Sequence, residues 1–116
     1  MNAVNNLCYF TGRITKDPNE SIQILPNGGT KLSLGLAVKT PTSDKEGEVY
    51  ERTDYPQLVI WGDLAEQAVT QFQKGMLVEV QAQLQTRRWK TEDGSYRYST
   101  GFLVTAIRRK TRAPAA

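Results

Sequence analysis

Residues 83–100 read Gln-Leu-Gln-Thr-Arg-Arg-Trp-Lys-Thr-Glu-Asp-Gly-Ser-Tyr-Arg-Tyr-Ser-Thr, and the rest of the chain is interpreted outward from this stretch. Two strand-like runs flank a polar turn at Glu92-Asp93-Gly94, which predicts a β-hairpin. Cations and rings are interleaved along it: Arg87, Arg88, Trp89, Lys90, Tyr96, Arg97 and Tyr98. Cations neutralise phosphates and rings stack on bases, so the hairpin suits an unpaired nucleic-acid strand. Taken alone, the pattern equally fits a surface hairpin with cross-strand aromatic pairs.

Alternation of apolar and polar residues predicts the remaining strands. They are Val4–Thr15 with a brief continuation at Ser21–Leu25, Lys31–Lys39, Tyr55–Trp61, Met76–Leu84, and a last strand with Phe102, Val104 and Ala106 on its inner face. The turn signal Pro26-Asn27-Gly28-Gly29 separates the early strands. Thr40–Thr53 is polar and charged, which predicts a long flexible loop.

One helix is predicted between the third and fourth strands. Asp63 is a suitable N-cap, with Glu66 three residues later as in a capping box. The apolar stripe of the helix comprises Leu64, Ala65, Ala68, Val69 and Phe72. Gly75 is predicted as the C′ residue that ends it.

The resulting order is three strands, one helix and two strands. Five short strands in an open sheet would expose their edges, whereas closure into a small barrel with the helix at one end removes them. The prediction is an all-β protein with one helix, a five-stranded OB-fold barrel. A five-stranded half-sandwich is the alternative that this order leaves open.

Length and composition restrict the class of protein. The 116 residues suffice for one domain, predicted at 1–107, followed by a short basic disordered tail at 108–116. No apolar run approaches a membrane span and no signal-peptide pattern is visible, so we expect a cytoplasmic protein. With one cysteine and no histidine, the chain offers neither a disulfide nor a common zinc site. We therefore expect no metal, no cofactor and no enzymatic activity.

Charge is distributed unevenly along the chain. Residues 1–85 contain seven basic and ten acidic residues, whereas residues 86–116 contain eight basic and two acidic ones. A net charge of +3 therefore understates the positive charge of the final quarter. This asymmetry favours a polyanionic partner.

Trp61 is predicted on the outward face of its strand, opposite the inward Leu58 and Ile60. An exposed indole there would either pack under another loop or subunit, or stack on a base, and base stacking is the favoured interpretation. Tyr55 has the same predicted orientation, with the two interpretations evenly balanced. Pro56 cannot donate a ladder hydrogen bond and predicts an edge or a bulge.

Several short motifs occur in an order that resembles the bacterial single-stranded DNA-binding protein family. They are Gly12-Arg13 followed by Asp17-Pro18, Pro26-Asn27-Gly28-Gly29, Val59-Ile60-Trp61-Gly62 with Leu64-Ala65-Glu66, Lys74-Gly75, and Leu84-Gln85-Thr86-Arg87-Arg88-Trp89. The resemblance spans Val4 to Ala106. It implies an OB-fold that binds and protects single-stranded DNA in replication, recombination or repair, usually as a cytoplasmic, nucleoid-associated homotetramer.

The resemblance also implies roles for individual residues. Tyr55, Trp61 and Trp89 fall where the family places stacking rings, and Lys74, Arg87 and Arg88 where it places phosphate-binding cations. With the cations and rings of the hairpin and of the outward strand faces, the candidate set becomes Tyr55, Trp61, Trp89 and Tyr98 for stacking, and Arg13, Lys39, Arg52, Lys74, Arg87, Arg88 and Arg97 for phosphate. We expect these side chains to line one continuous open surface.

Some positions depart from the family pattern. Pro41 and Thr42 stand where a further tryptophan is typical, Asp63 where lysine is common and Gln85 where arginine is common. Because the family's acidic C-terminal tip is not in this sequence, recruitment of proteins through such a tip is not expected. Two alternatives remain: a primosome-type or accessory interaction protein with weak DNA binding, and an RNA-binding barrel.

Overall fold

A computed structural model describes residues 5–110 of the chain. Its elements are β1 (Cys8–Ile14), a short 3-10 helix (Pro18–Glu20), β2 (Ile22–Ile24), β3 (Thr30–Leu34), β4 (Leu36–Ser43), β5 (Val49–Asp54), β6 (Leu58–Trp61), α1 (Gly62–Gln71), β7 (Leu77–Lys90) and β8 (Tyr96–Arg109). The prediction of a mostly β protein with one helix is confirmed. The helix lies between the third and fourth predicted strands, as expected.

The eight strands form one sheet in the order β2-β3-β6-β8-β7-β1-β4-β5. All of the neighbouring pairs are antiparallel except β6 and β8. β3 and β4 stand far apart in this order, yet only Gly35 separates them in the chain. The continuous segment formed by β3 and β4 therefore pairs with β6 through β3 and with β1 through β4. The sheet consequently curls back on itself as in an OB-fold.

The inward faces of the strands enclose a single apolar core. Its buried members are Ile14, Leu32, Leu34, Leu36, Leu58, Ile60, Ala65, Ala68, Phe72, Val78, Val80, Ala82 and Val104. Strand periodicity places alternate residues on the same side, which explains why every second residue from Val78 to Ala82 is buried. The predicted inward orientation of Leu58 and Ile60 is confirmed.

The helix packs on β3 and β6 and lies against the 3-10 helix. It begins at Gly62, so Asp63 lies in its first turn and the prediction of Asp63 as N-cap is wrong. Gly62 has φ of 65°, a conformation that glycine adopts without strain, and its carbonyl accepts a hydrogen bond from Thr30 Oγ1 at 2.9 Å. The helix ends at Gln71, and Gly75 belongs to the following turn rather than to its C′ position.

The predicted loop at Thr40–Thr53 is instead a hairpin, in which β4 pairs with β5 from Val38↔Asp54 to Ser43↔Val49. Most residues from Thr40 to Thr53 are exposed, so this segment carries no apolar alternation that sequence analysis could detect. Asp44 fixes the turn because its Oδ1 accepts hydrogen bonds from the N–H groups of Glu46 and Glu48. The strand predicted from Lys31 to Lys39 is divided at Gly35.

The final hairpin is longer than predicted. β7 and β8 pair over Val78↔Arg109 to Lys90↔Tyr96, with a register shift after Gln81. The shift reverses the orientation expected for Ala106, which is exposed, while Ile107 packs against the core. Because β8 extends to Arg109, the first two residues of the predicted tail are in a strand, and 111–116 lie outside the described residues.

Candidate nucleic-acid interface

The outer half of the β7–β8 hairpin, residues 84–100, is a two-stranded ribbon that we call the arm. β1 pairs with β7 only as far as Ala82, and β6 pairs with β8 only at Phe102 and Leu103. Beyond these points the two strands have only each other as ladder partners. Both faces of the arm are therefore open to solvent.

Strand alternation sorts the side chains of the arm into two sets. Register partners share a face, because Arg87 pairs with Ser99, Arg88 with Tyr98 and Trp89 with Arg97. The front face carries Gln85, Arg87, Trp89, Arg97 and Ser99. The back face carries Thr86, Arg88, Lys90, Tyr96, Tyr98 and Thr100. The single surface that the sequence predicted is thus divided in two, because neighbouring residues of a strand point in opposite directions.

Trp61 lies where the front face of the arm meets the part of the sheet that encloses the core. The Arg87 guanidinium carbon is 5.5 Å from the centroid of the Trp61 ring, and the Lys31 Nζ is 5.4 Å from it. Lys31 is the register partner of Trp61 across β3 and β6. The half-buried indole is therefore held in place by two cations, at a distance typical of cation–π interactions.

A shallow groove continues from this cluster along the front of the molecule. Its lining comprises Lys31, Gln57, Val59, Gln85, Arg87, Ser99, Gly101 and Phe102. Trp89 extends the same face toward the tip of the arm, with 48% of its surface exposed. Trp61 and Trp89 thus lie on one face. Arg87 lies between them in the sequence and over the Trp61 ring in the structure. We call the surface formed by Lys31, Trp61, Arg87, Trp89 and Arg97 the front surface.

The back face also brings a cation and a ring together. The Arg88 guanidinium carbon is 4.6 Å from the centroid of the Tyr96 ring. Tyr96 and Tyr98 are 52% and 65% exposed. Arg88 and Tyr98 were predicted to share a surface with Trp61 and Trp89, but they lie on the opposite side of the arm.

Arg13 and Lys74 lie near the opposite end of β7. They line a pocket together with Gly75, Met76, Leu77, Arg109 and Lys110. The Arg13 Nη1 donates to the carbonyl oxygen of Gly75 at 3.0 Å. Arg87 is ten positions beyond Leu77 along β7, roughly 30 Å along a strand, so these cations do not join the front surface.

Lys39 and Arg52 lie on the β4–β5 hairpin, where each is paired with an acid. Lys39 Nζ is 3.6 Å from Glu51 Oε1, and Arg52 Nε donates to Asp54 Oδ2 at 2.9 Å. By contrast, no ion pair involves Lys31, Arg87 or Arg97 within the part of the chain that the structure describes. Tyr55 is exposed and lies in the connection between β5 and β6, so it is not on the strand that carries Trp61.

The turn at the tip of the arm is organised by Asp93. The Thr91 hydroxyl and the Ser95 N–H both donate to its carboxylate. These donors favour the charged form and lower the pKa of Asp93 from its usual 3.8, with the Thr91 hydroxyl as the larger cause. Gly94, at φ of 87°, closes the turn with its N–H donating to the Thr91 carbonyl. Asp93 therefore remains negatively charged throughout the neutral pH range.

Lys31 and Tyr96 were absent from the predicted set of site residues. The outward orientation of Lys31 was visible in its alternating strand, but its position beside Trp61 depends on the long-range pairing of β3 with β6. Tyr96 belongs to the basic and aromatic hairpin, and only the arrangement of the back face shows its contact with Arg88. Across residues 5–110, acidic and cysteine side chains form no group of three or more that could hold a metal ion.

The sequence matches the profile of the Single-strand binding protein family over residues 4–109. The chain belongs to this family. The match covers β1 through β8 and therefore includes the front surface, the back face and all of the pocket around Arg13 except Lys110. Among the described residues, no helix is both long and apolar enough to cross a membrane.

Two solved structures of single-strand binding proteins are similar to this one. A deletion mutant of the single-stranded DNA binding protein from Thermus aquaticus matches with a TM-score of 0.79 and 24% identity over 91% of this chain. This chain spans 50% of that protein's chain. The Plasmodium falciparum SSB, in complex with ssDNA, matches with a TM-score of 0.77 and 25% identity over 96% of this chain and 100% of the other. The fold agrees with the OB-fold prediction.

Proposed function

We propose that this chain binds single-stranded DNA without strong sequence preference and carries out no chemistry on it. Bases stack on Trp61 and Trp89, and Lys31, Arg87 and Arg97 contact phosphates. Stacking is tolerant of sequence because every base has a π-face, and the cations add affinity by releasing counterions. The supporting observation is the Trp61 ring flanked by Lys31 and Arg87 on the face that also carries Trp89.

Family membership supports the same proposal. The related Plasmodium falciparum SSB is in complex with ssDNA. We extend the proposal to a cytoplasmic, nucleoid-associated homotetramer that acts in replication, recombination or repair, which is the expectation drawn from the family. Light scattering combined with size-exclusion chromatography measures the assembly, and a mass of one chain would contradict the tetramer.

Titration of tryptophan fluorescence with oligo(dT), oligo(U) and duplex DNA at two salt concentrations tests the proposal. Both tryptophans of the chain belong to the proposed surface, so stacking should quench the signal. We expect strong quenching by oligo(dT) and little by duplex DNA. Stronger quenching by oligo(U) would point to an RNA-binding protein. Equal and feeble quenching by all three would favour a primosome-type interaction protein.

The salt dependence of binding should distinguish free cations from paired ones. For a single strand, each neutralised phosphate contributes about −0.7 to the slope of log K against log salt concentration. Arg87→Ala should therefore make the slope shallower by about 0.7. Arg52→Ala should change it little, because the Arg52 side chain already donates to Asp54.

Fluorescence titrations at four or more salt concentrations give these slopes. Arg52→Ala is the matched control for Arg87→Ala, since each variant removes one exposed guanidinium from a hairpin. Equal changes of slope in the two variants would contradict the division into free and paired cations. The roles of the other predicted cations, Arg13, Lys39 and Lys74, remain predictions that the same measurement addresses.

A further inference from the structure

The back face of the arm repeats the chemistry of the front surface without belonging to it. Arg88 lies over the Tyr96 ring, as Arg87 lies over Trp61. Tyr98 and Lys90 flank this pair, because Arg88 is the register partner of Tyr98 and Lys90 that of Tyr96. Each face of the ribbon thus offers rings for bases and cations for phosphates.

The two faces are separated by the ribbon itself. Residues 87 and 88 point in opposite directions, so a nucleotide on Trp89 cannot also contact Tyr96 or Tyr98. No other strand pairs with the arm beyond Leu84 and Phe102, and the side chains of the back face are exposed. A nucleic-acid strand that contacts both faces must pass around the edge or the tip of the arm.

We propose that the back face, formed by Arg88, Lys90, Tyr96 and Tyr98, is a second binding surface for single-stranded nucleic acid. It holds a separate segment of the strand whose first segment occupies the front surface. This inference rests on the proposed function and deepens it. The nucleic-acid strand then contacts both faces of the arm, and its affinity depends on whether it is long enough to reach both.

The composition of the back face favours a polyanion over a protein partner. Two cations and two tyrosines contribute to it, while the acids of the arm, Glu92 and Asp93, lie in the tip turn. Protein interfaces share the enrichment in tyrosine and arginine, but lysine is depleted from them. Here Lys90 lies on the same face as Arg88, and neither cation forms an ion pair among residues 5–110. This uncompensated positive charge is what a polyanion would neutralise.

Binding of oligo(dT) of two lengths to the double variant Arg88→Ala/Tyr96→Ala tests this proposal. One OB-fold binds about 4 to 16 nucleotides. An oligomer of about 5 nucleotides should therefore reach one face only, and one of about 16 nucleotides should reach both. We expect the variant to bind the short oligomer within about twofold of the unaltered chain. We expect it to bind the long oligomer about tenfold more weakly. Both binding constants come from fluorescence titration, since the two tryptophans are retained.

The control is Lys45→Ala/Tyr50→Ala, which removes one cation and one exposed tyrosine from the β4–β5 hairpin and should alter neither binding constant. If the back-face variant binds both lengths like the unaltered chain, the second surface does not exist, although the proposed function stands. If the back-face variant binds both oligomers more weakly by the same factor, the back face does not hold a separate segment of the nucleic acid. A changed mass in light scattering would show that this face binds protein instead. If the unaltered chain binds neither oligomer, the proposed function itself fails.

Discussion

The double variant Arg87→Ala/Trp89→Ala should bind oligo(dT) about 100-fold more weakly than the unaltered chain. Loss of one stacking ring costs about 1–3 kcal/mol, and each 1.4 kcal/mol is a tenfold change in affinity. Loss of Arg87 removes a phosphate contact and also one of the two cations that hold Trp61 in position. Both effects act on the same surface, so their sum is the largest change in binding that we expect from two substitutions.

The same variant should keep its stability. Trp89 and Arg87 lie on the exposed part of β7, beyond the segment that packs against the core. We therefore expect a melting temperature within about 2 °C of the unaltered chain, since exposed substitutions usually change stability by about 0.5 kcal/mol or less. Circular dichroism measures the melting and Trp61 fluorescence the binding. Lys45→Ala/Tyr50→Ala is again the control.

Two outcomes would contradict this prediction. A large drop in melting temperature would show that Trp89 supports the fold, and the weaker binding would then say nothing about stacking. If neither the affinity nor the melting temperature changed, the DNA strand would have to bind elsewhere on the molecule. The pocket around Arg13 and Lys74 would then be the next surface to test.

The elements that bury one face were predictable from local pattern. In β3 and in the first half of β7 the buried side chains recur at every second residue, because each strand has the core on one side and solvent on the other. The β4–β5 hairpin was missed for the converse reason. Its strands are held by ladder hydrogen bonds and by the Asp44 turn rather than by burial, so the segment has the composition of a loop.

The site was predictable in its residue types but not in its arrangement. The basic and aromatic composition of residues 87–98 identified the arm, but contacts such as Lys31 with Trp61 join residues thirty positions apart and follow only from the pairing of β3 with β6. The pairing of Arg52 with Asp54 is local, but it depends on side-chain conformations that the sequence does not specify. The division into two faces follows from strand alternation, provided that the strands are known to continue to Lys90.

Gly12→Val should lower stability more than any of the substitutions discussed above. A Cβ at Gly12 would lie 2.3 Å from the carbonyl oxygen of Ala37, a distance that real contacts do not reach. This carbonyl belongs to β4 where it pairs with β1 through Arg13↔Ala37. The obstacle is backbone rather than a flexible side chain, so relief requires the two strands to separate. Overpacking a core commonly costs about 1–3 kcal/mol.

We expect a loss of about 2 kcal/mol or more, which corresponds to a fall of about 8 °C or more in melting temperature. The control is Thr11→Val, which places the same side chain on the neighbouring, exposed position of β1 and should melt within about 2 °C of the unaltered chain. Thermal melts followed by circular dichroism compare the two variants. Because β1 does not contribute to the front surface, folded Gly12→Val should bind oligo(dT) within about threefold of the unaltered chain. A normal melt for Gly12→Val would mean that β1 and β4 do not approach closely, and the curled sheet on which the front surface is built would be wrong.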